Sequence, residues 1–166
     1  LDGTSSSSVI TLTANGTPFA VSGTYTPGST TIAYIPASTT GVTVASGTYY
    51  NVTFNKASNT FSLAASGITA TNDLTITAGV LDAVSGSNFP ITVGRNWTNT
   101  PGTGGFLAQN GTVTFNTTTT AAITGATIFH NFTAVTAPKT INFGDATTFR
   151  INGVFTLTGS AGPNYI

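Results

Sequence analysis

Two parts of this chain repeat each other, and the repeat restricts the folds that the chain can adopt. The segment YYNVTFNKASNTFSL (49–63) aligns with FHNFTAVTAPKTINF (129–143), and apolar residues coincide along the alignment. A shorter period lies inside this one, because NDLTITAG (72–79) and RNWTNTPG (95–102) start 23 residues apart. Periods of about 20 to 25 residues are typical of the coils of a β-solenoid, in which equivalent strands stack in parallel.

Most of the repeated segments alternate apolar and polar residues, which is the pattern of a half-buried strand. In YYNVTF the side chains of Val52 and Phe54 point to one face of a strand, and that of Thr53 points to the other. Glycine, asparagine, proline and serine separate the segments, as expected for turns. The predicted core positions are Val52, Phe54, Phe61, Leu63, Leu74, Ile76, Val113, Phe115, Ile141, Phe143, Phe155 and Leu157.

We therefore predict an all-β fold, a β-solenoid built from two repeat modules of about 80 residues each. A flexible N-terminal segment (1–8) precedes the first module (9–88), and the second module covers residues 91–166, so that the two could form one continuous solenoid. The alternative is a pair of tandem immunoglobulin-like β-sandwiches, because seven short strands also fit into such a length. The paired cysteines common in those sandwiches are missing, since the chain contains no cysteine.

The chain carries very little charge, which excludes several kinds of partner. Only 5% of its residues are charged, and the formal net charge is zero. Such a surface produces no field that would attract nucleic acid or an anionic membrane. No apolar run approaches the roughly 18 residues that a membrane-spanning helix needs. Low charge also weakens the usual protection against self-association, so we expect the main partner to be another copy of this chain.

Several motifs resemble those of a known class of repeats. The motifs GRNWTN (94–99), GTVTFN (111–116) and TIFHNFT (127–133) are followed by TFRINGVFTLTGSAG (148–162). In this order they resemble repeat segments of very large bacterial cell-surface and secreted proteins, of the filamentous-haemagglutinin and autotransporter β-solenoid type. The chain differs from that pattern at Arg95, where a glycine is common. The resemblance implies an extracellular scaffold, stalk or adhesin, and it brings no catalytic residues with it.

The sequence offers little that could carry catalysis. Glycoside cleavage usually needs two facing carboxyl groups, and only Asp73, Asp82 and Asp145 lie within the repeats. The only histidine, His130, aligns with Tyr50 in the repeat, a pairing more typical of a partly exposed aromatic site than of a general base. The spacing patterns of calcium and zinc sites are also missing. We predict that the chain is not an enzyme and has no catalytic residues, metal site or cofactor.

Two kinds of surface site are suggested by the sequence. Six Asn-x-Ser/Thr motifs are candidate glycosylation sites, although a threonine-rich composition also produces such motifs by chance. Asn110 is the best of them, because Asn-Gly marks an exposed turn. The six candidates are Asn15, Asn51, Asn96, Asn110, Asn116 and Asn131. Aromatic residues that could form a weak platform for a ligand are Tyr49, Tyr50, Trp97 and Phe129.

Three functions remain open at this point. The first is structural: an extracellular, cell-surface fibre or stalk segment whose β-coils assemble end to end or by strand donation. The second is an adhesin that binds glycans on its aromatic residues. The third is ice binding, which needs Thr-x-Thr at one position of every coil to form a flat array. The spacing of these motifs is irregular, which argues against such an array; they occur at 11–13, 24–26, 75–77, 112–114 and 156–158.

Overall fold

The computed structural model describes residue 2 and residues 7–116, 118–135, 140–145 and 147–158. Most of the flexible segment predicted at 1–8 therefore lies outside the described residues, as does the end of the second predicted module. The described part contains seventeen strands and one short 3₁₀ helix, Gly102–Gly104. In chain order the strands are β1 (Val9–Leu12), β2 (Thr31–Tyr34), β3 (Val42–Val44), β4 (Gly47–Tyr49), β5 (Asn51–Leu63), β6 (Ile68–Ala70), β7 (Leu74–Asp82), β8 (Ile91–Val93), β9 (Trp97–Asn99), β10 (Phe106–Leu107), β11 (Thr112–Phe115), β12 (Ala121–Thr124), β13 (Thr127–Phe129), β14 (Asn131–Ala134), β15 (Ile141–Phe143), β16 (Phe149–Ile151) and β17 (Phe155–Leu157).

The strands form a parallel β-solenoid of about 6 turns, which confirms the predicted fold class. Every pairing between these strands is parallel, so each strand lies on its equivalent in the next coil. An immunoglobulin-like sandwich is built from antiparallel strands, so this pairing rules out the alternative. The chain winds in this way because each coil buries only one side of its strands and needs a neighbouring coil above and below.

Each full coil contributes strands to three faces of the solenoid. The first face contains β1, β2, the first parts of β5 and β7, and then β9, β12 and β15. The second face contains β3, the last parts of β5 and β7, and β10, with β13 and β16 further along. The third face contains β4, β6, β8, β11, β14 and β17 in an unbroken order. These pairings cross the predicted module boundary near residues 88–91, because β6 pairs with β8 and β7 with β9.

The core is the apolar interior that the three faces enclose. Alternation fills it, since in β5 the side chains of Val52 and Phe54 are buried while Thr53 between them is half-exposed. Aligned strands then stack large side chains along the axis, as where Val52 pairs with Leu74 and Leu74 with Trp97. The predicted core residues that are buried are Val52, Phe54, Phe61, Leu63, Leu74, Ile76, Val113 and Phe115.

The other predicted core residues belong to the last described coil, and their placement corrects the prediction. Phe143, Phe155 and Leu157 are 39%, 48% and 43% exposed, and Ile141 is half-buried. Their side chains occupy inward positions, but no described strand covers the far side of that coil. The alternation therefore predicted correctly which side chains point inward. Their burial, however, also requires a further coil that covers them.

Asparagine and aspartate side chains connect the coils at the corner between the third and first faces. The Oδ1 atom of Asn51 accepts a hydrogen bond from the backbone N–H of Asp73 (3.2 Å). Asp73 in turn accepts one from the backbone of Asn96 (3.1 Å), and Asn96 accepts one from the backbone of Ala122 (3.0 Å). Asparagine or aspartate at this corner thus satisfies a backbone donor of the next coil that the strands leave unpaired.

Candidate functional site

One threonine of each of the six strands on the third face lies in register with the next. Thr48 pairs with Thr69, and Thr69 with Thr92, the central position of the row. The same alignment continues to the last described coil. We call this set the threonine row; its members are Thr48, Thr69, Thr92, Thr114, Thr133 and Thr156. Parallel strands lie about 4.8 Å apart, so the row is a regular line of hydroxyl and methyl groups without a charged member.

The neighbouring positions of the third face extend the row only in part. A second outward threonine stands two residues away in three of the coils, at Thr71, Thr112 and Thr158. At the position of Thr71, other coils carry residues such as Gly94 and Val135. The first face has a shorter line of aligned threonines, formed by Thr53, Thr75, Thr98 and Thr124. The threonine row is thus the longest periodic feature on the described surface.

The structure agrees with the prediction that no Thr-x-Thr array recurs in every coil, but the single threonine row was not predicted from the sequence. The Thr-x-Thr motifs are irregularly spaced along the chain. The structure aligns one threonine from each strand of the third face, although the coils differ in length. Turns between strands absorb the difference in length, so the residues that pair in space are not equally spaced in sequence.

A cleft of about 200 Å³ opens on the second face. It lies where the stacking of this face is interrupted, because β10 pairs with β7 and β13 pairs with β16, but no pairing joins β10 to β13. One wall is formed by Phe106–Gln109 and the other by Ile128–His130, with Thr103 and Asn152 at the ends. Little in the sequence predicts this cleft, because it arises where two neighbouring strands do not pair.

Buried polar side chains hold the two walls of the cleft together. The Nδ2 group of Asn99 donates to the carbonyl of Gly102 (2.8 Å) and to that of Ala126 (3.1 Å). The indole N–H of Trp97 donates to the hydroxyl oxygen of Thr127 (3.2 Å). Asn99, Trp97 and Thr127 are all fully buried, so these bonds are not exchanged with water. They replace the strand-to-strand bonds that are missing at this point.

The predicted aromatic platform is wrong for three of its four residues. Tyr49, Trp97 and Phe129 are at most 1% exposed and cannot stack against a ligand. Trp97 packs against Phe106 and Phe129, with ring centroids 4.9 and 5.4 Å apart. Only Tyr50 is partly exposed. The alignment of NDLTITAG with RNWTNTPG already places Trp97 over Leu74, a predicted core residue, so this signal favoured burial of Trp97 over a ligand platform.

Tyr49 has a structural partner instead of a ligand. Its hydroxyl group donates to the carbonyl of Ala45 (2.6 Å) and lies 3.1 Å from the hydroxyl of Tyr34. Burial raises the pKa of Tyr34 to about 12, and it also raises the pKa of Tyr49. Phe19 packs against Tyr49 and Tyr25, so this aromatic group covers the core near the first described coils.

The six candidate glycosylation asparagines differ in their surroundings. Asn51 and Asn96 belong to the corner connection described above, and the side chain of Asn131 accepts from the backbone of Val154 (2.9 Å). Asn15 donates to the carbonyls of Ser38 and Thr40, which fixes its side chain. The remaining two are exposed, namely Asn110 and Asn116. Whether any of the six carries sugar stays a prediction.

The titratable residues are dispersed over the described surface. Asp82 accepts a hydrogen bond from Gln109 (2.7 Å), whereas Asp73 serves the corner connection and Asp145 is exposed. His130 lies in the cleft, and none of these three aspartates is among the described residues that line it. Within the described ranges, no cluster of three or more metal-ligating side chains occurs. In the same ranges, no helix is long and apolar enough to cross a membrane.

Comparison with known proteins adds no relative. No family model matches the chain, and neither a curated protein nor a solved structure matches it. The fold and the surfaces described above are therefore the observations from which function is argued.

Proposed function

We propose that this chain is a structural segment of an extracellular, cell-surface fibre or stalk, whose coils associate end to end with those of another copy. The observation that carries the proposal is the contrast between the last two described coils. Phe132 and Ala134 are buried, while their paired residues one coil further, Phe155 and Leu157, are 48% and 43% exposed. An apolar coil end of this kind gains stability when a further coil covers it.

The first described coil offers a complementary edge. Strand β1 pairs with β2 on one side, and no other described strand pairs with it on the other. Its first residue, Val9, is 64% exposed. Unpaired edges of this kind pair readily with another chain, and the edge of β15 lies on the same face at the opposite end of the stack. Pairing of β15 with β1 of a second copy would continue the first face.

The low charge and the resemblance of the repeat motifs support the extracellular part of the proposal. With 5% charged residues, copies meet with little electrostatic repulsion. The resemblance of GRNWTN and GTVTFN to bacterial surface repeats implies the same setting. The structure contributes the solenoid form that such repeats adopt.

Sedimentation velocity with negative-stain electron microscopy tests the association. We expect the wild-type chain to form concentration-dependent oligomers and short rods, because each contact buries the apolar coil end. Phe155→Asp places a charge on that end and is expected to leave the protein monomeric. Thr98→Asp on a lateral face is the matched control and should assemble like the wild type. A wild-type chain that stays monomeric at all concentrations, with native circular dichroism, would contradict the proposal.

A second candidate function, ice binding, is favoured by the threonine row. The row presents hydroxyl and methyl groups at one constant spacing along a rigid face, and a crystal surface is itself periodic. The six aligned threonines extend over six successive strands, so the surface that could contact ice is longer than a single Thr-x-Thr motif. The strands that carry the row are held by their mutual pairing, so the array is ordered before contact.

Thermal hysteresis and inhibition of ice recrystallisation test this second function. We expect the wild-type chain to be active and Thr92→Lys, at the centre of the row, to lose nearly all activity because a long charged side chain breaks the flat contact. Ser62→Lys on the second face is the matched control and should retain activity. Absence of activity in the wild type, or equal loss in both variants, would remove ice binding as a candidate.

A further inference from the structure

The cleft on the second face is a built feature of the solenoid. It separates β10 from β13, and in the described chain these are neighbouring strands of successive coils that do not pair. Asn99 connects the segments next to the two walls, because it donates to Gly102, beside Thr103 at one end of the cleft, and to Ala126, which lies two residues before Ile128. The walls thus stay apart in a fixed relation without a ladder of backbone bonds. A pocket that exists before its ligand arrives loses little entropy on binding.

Backbone strain marks the rim of the cleft. Gln109 has a φ of 51°, which is uncommon for a residue other than glycine. Its Nε2 group donates to Asp82 (2.7 Å), so the side chain is anchored while its carbonyl oxygen is left to accept another bond. Strained residues other than glycine persist where the surroundings hold them, and they occur often at binding sites. Gln109 is thus a fixed acceptor at the mouth of the cleft.

The opposite rim is fixed as well. The backbone N–H of Asn152 donates to the carbonyl of Phe129 (3.0 Å), and that of Gly153 donates to the carbonyl of His130 (2.8 Å). A side chain at position 153 would press against the imidazole ring of His130. A Cβ on Gly153 would lie 2.9 Å from the Nε2 atom of His130. His130 and Asn152 therefore present their side chains from two turns of successive coils that are bonded to each other.

The chemistry of the lining defines the kind of ligand. Around an apolar floor that includes Phe106 and Ile128, the polar groups are a threonine hydroxyl, two carboxamides and an imidazole. Among the described residues that line the cleft there is no carboxylate, lysine or arginine, so a charged ligand would lose its hydration without an opposite charge from them. Donors and acceptors that converge on a small, partly apolar cavity suit a neutral ligand with several hydroxyl groups.

We propose that this cleft is a subsite for one neutral sugar ring. Gln109, His130 and Asn152 bind its hydroxyl groups, and the aliphatic surface of Leu107 and Ile128 contacts its apolar face. Leu107 is 45% exposed, so it is available for such a contact. This places glycan binding on a surface different from the buried aromatic residues that the sequence suggested.

Titration of the ¹⁵N-labelled 166-residue chain, kept below the concentration at which it associates and followed by amide chemical shifts, tests the subsite. The probes are methyl glucoside, methyl galactoside, methyl mannoside and N-acetylglucosamine, with blocked trialanine as a peptide probe. At least one sugar is expected to shift the amides of Gln109, His130 and Asn152, with a dissociation constant on the order of 1 mM. Asn152→Ala should weaken that binding about fivefold through the loss of one hydrogen bond.

Asn142→Ala is the matched control, because Asn142 is also an exposed asparagine of the last described coil but lies on a different face. Its sugar affinity should equal that of the wild type, and the dispersion of the spectrum shows that each variant is folded. Failure of all four sugars to shift the cleft amides would overturn the proposal. So would binding of the peptide alone, or equal weakening by both substitutions.

Discussion

Replacing Trp97 by alanine is expected to lower the free energy of unfolding by about 4 kcal/mol, the largest effect of a single side-chain truncation in this chain. Trp97 is fully buried between coils and packs against Phe106 and Phe129. The truncation leaves a cavity and also removes the indole donor of Thr127. Since Trp97 is the only tryptophan, unfolding is followed by circular dichroism in urea rather than by fluorescence.

A matched variant separates the two parts of this effect. Trp97→Phe keeps most of the ring packing but loses the indole N–H, and should cost about 1 to 2 kcal/mol. If Trp97→Ala changed the unfolding midpoint no more than Trp97→Phe does, packing between coils would not be the main source of stability. A loss below about 1 kcal/mol for the alanine variant would contradict the burial of Trp97.

Gly94→Ala is expected to destabilise the protein by about 3 kcal/mol, because the coils approach too closely there for a side chain. Gly94 follows β8 and donates its backbone N–H to the carbonyl of Ala70 (2.7 Å). A Cβ at Gly94 would overlap the backbone carbonyl of Thr71 in the preceding coil. Relief requires movement of one coil against the next, since the obstacle is backbone and not a flexible side chain.

Gly104→Ala provides the control for this prediction. Nothing lies within 4 Å of the position that its Cβ would take. Its free energy of unfolding should stay within about 1 kcal/mol of the wild-type value. Equal urea midpoints for the two variants would show that the coils are not packed as closely at Gly94 as the structure has them.

Much of the fold could be predicted because it depends on short-range alternation. Val52 and Phe54 point inward whichever strand lies beside them, since side chains alternate along any strand. The corner asparagines had a recognisable signal as well, because Asn51 and Asn96 each directly precede a strand residue that enters the core. A period near that of one coil then favoured a solenoid over a sandwich.

The register between coils could not be read in the same way. Asn55 of β5 pairs with Ala78 of β7, and Thr60 pairs with Val80. Four residues of β5 thus lie opposite a single residue of β7, and β5 bulges at this point. Bulges and turns of this kind change the length of each coil and hide periodic positions such as the threonine row. The cleft had even less signal, because it depends on a strand pairing that does not form.

Nuclear Overhauser effects across the third face show whether all described coils stack in parallel along one continuous solenoid. The structure predicts contacts between the backbones of Thr69 and Thr92, and between those of Thr92 and Thr114, in the pattern of parallel strands. The first of these contacts crosses the predicted module boundary. Close contacts between α-protons of paired residues, which mark antiparallel strands, or a lack of contacts between Thr69 and Thr92 would contradict the solenoid.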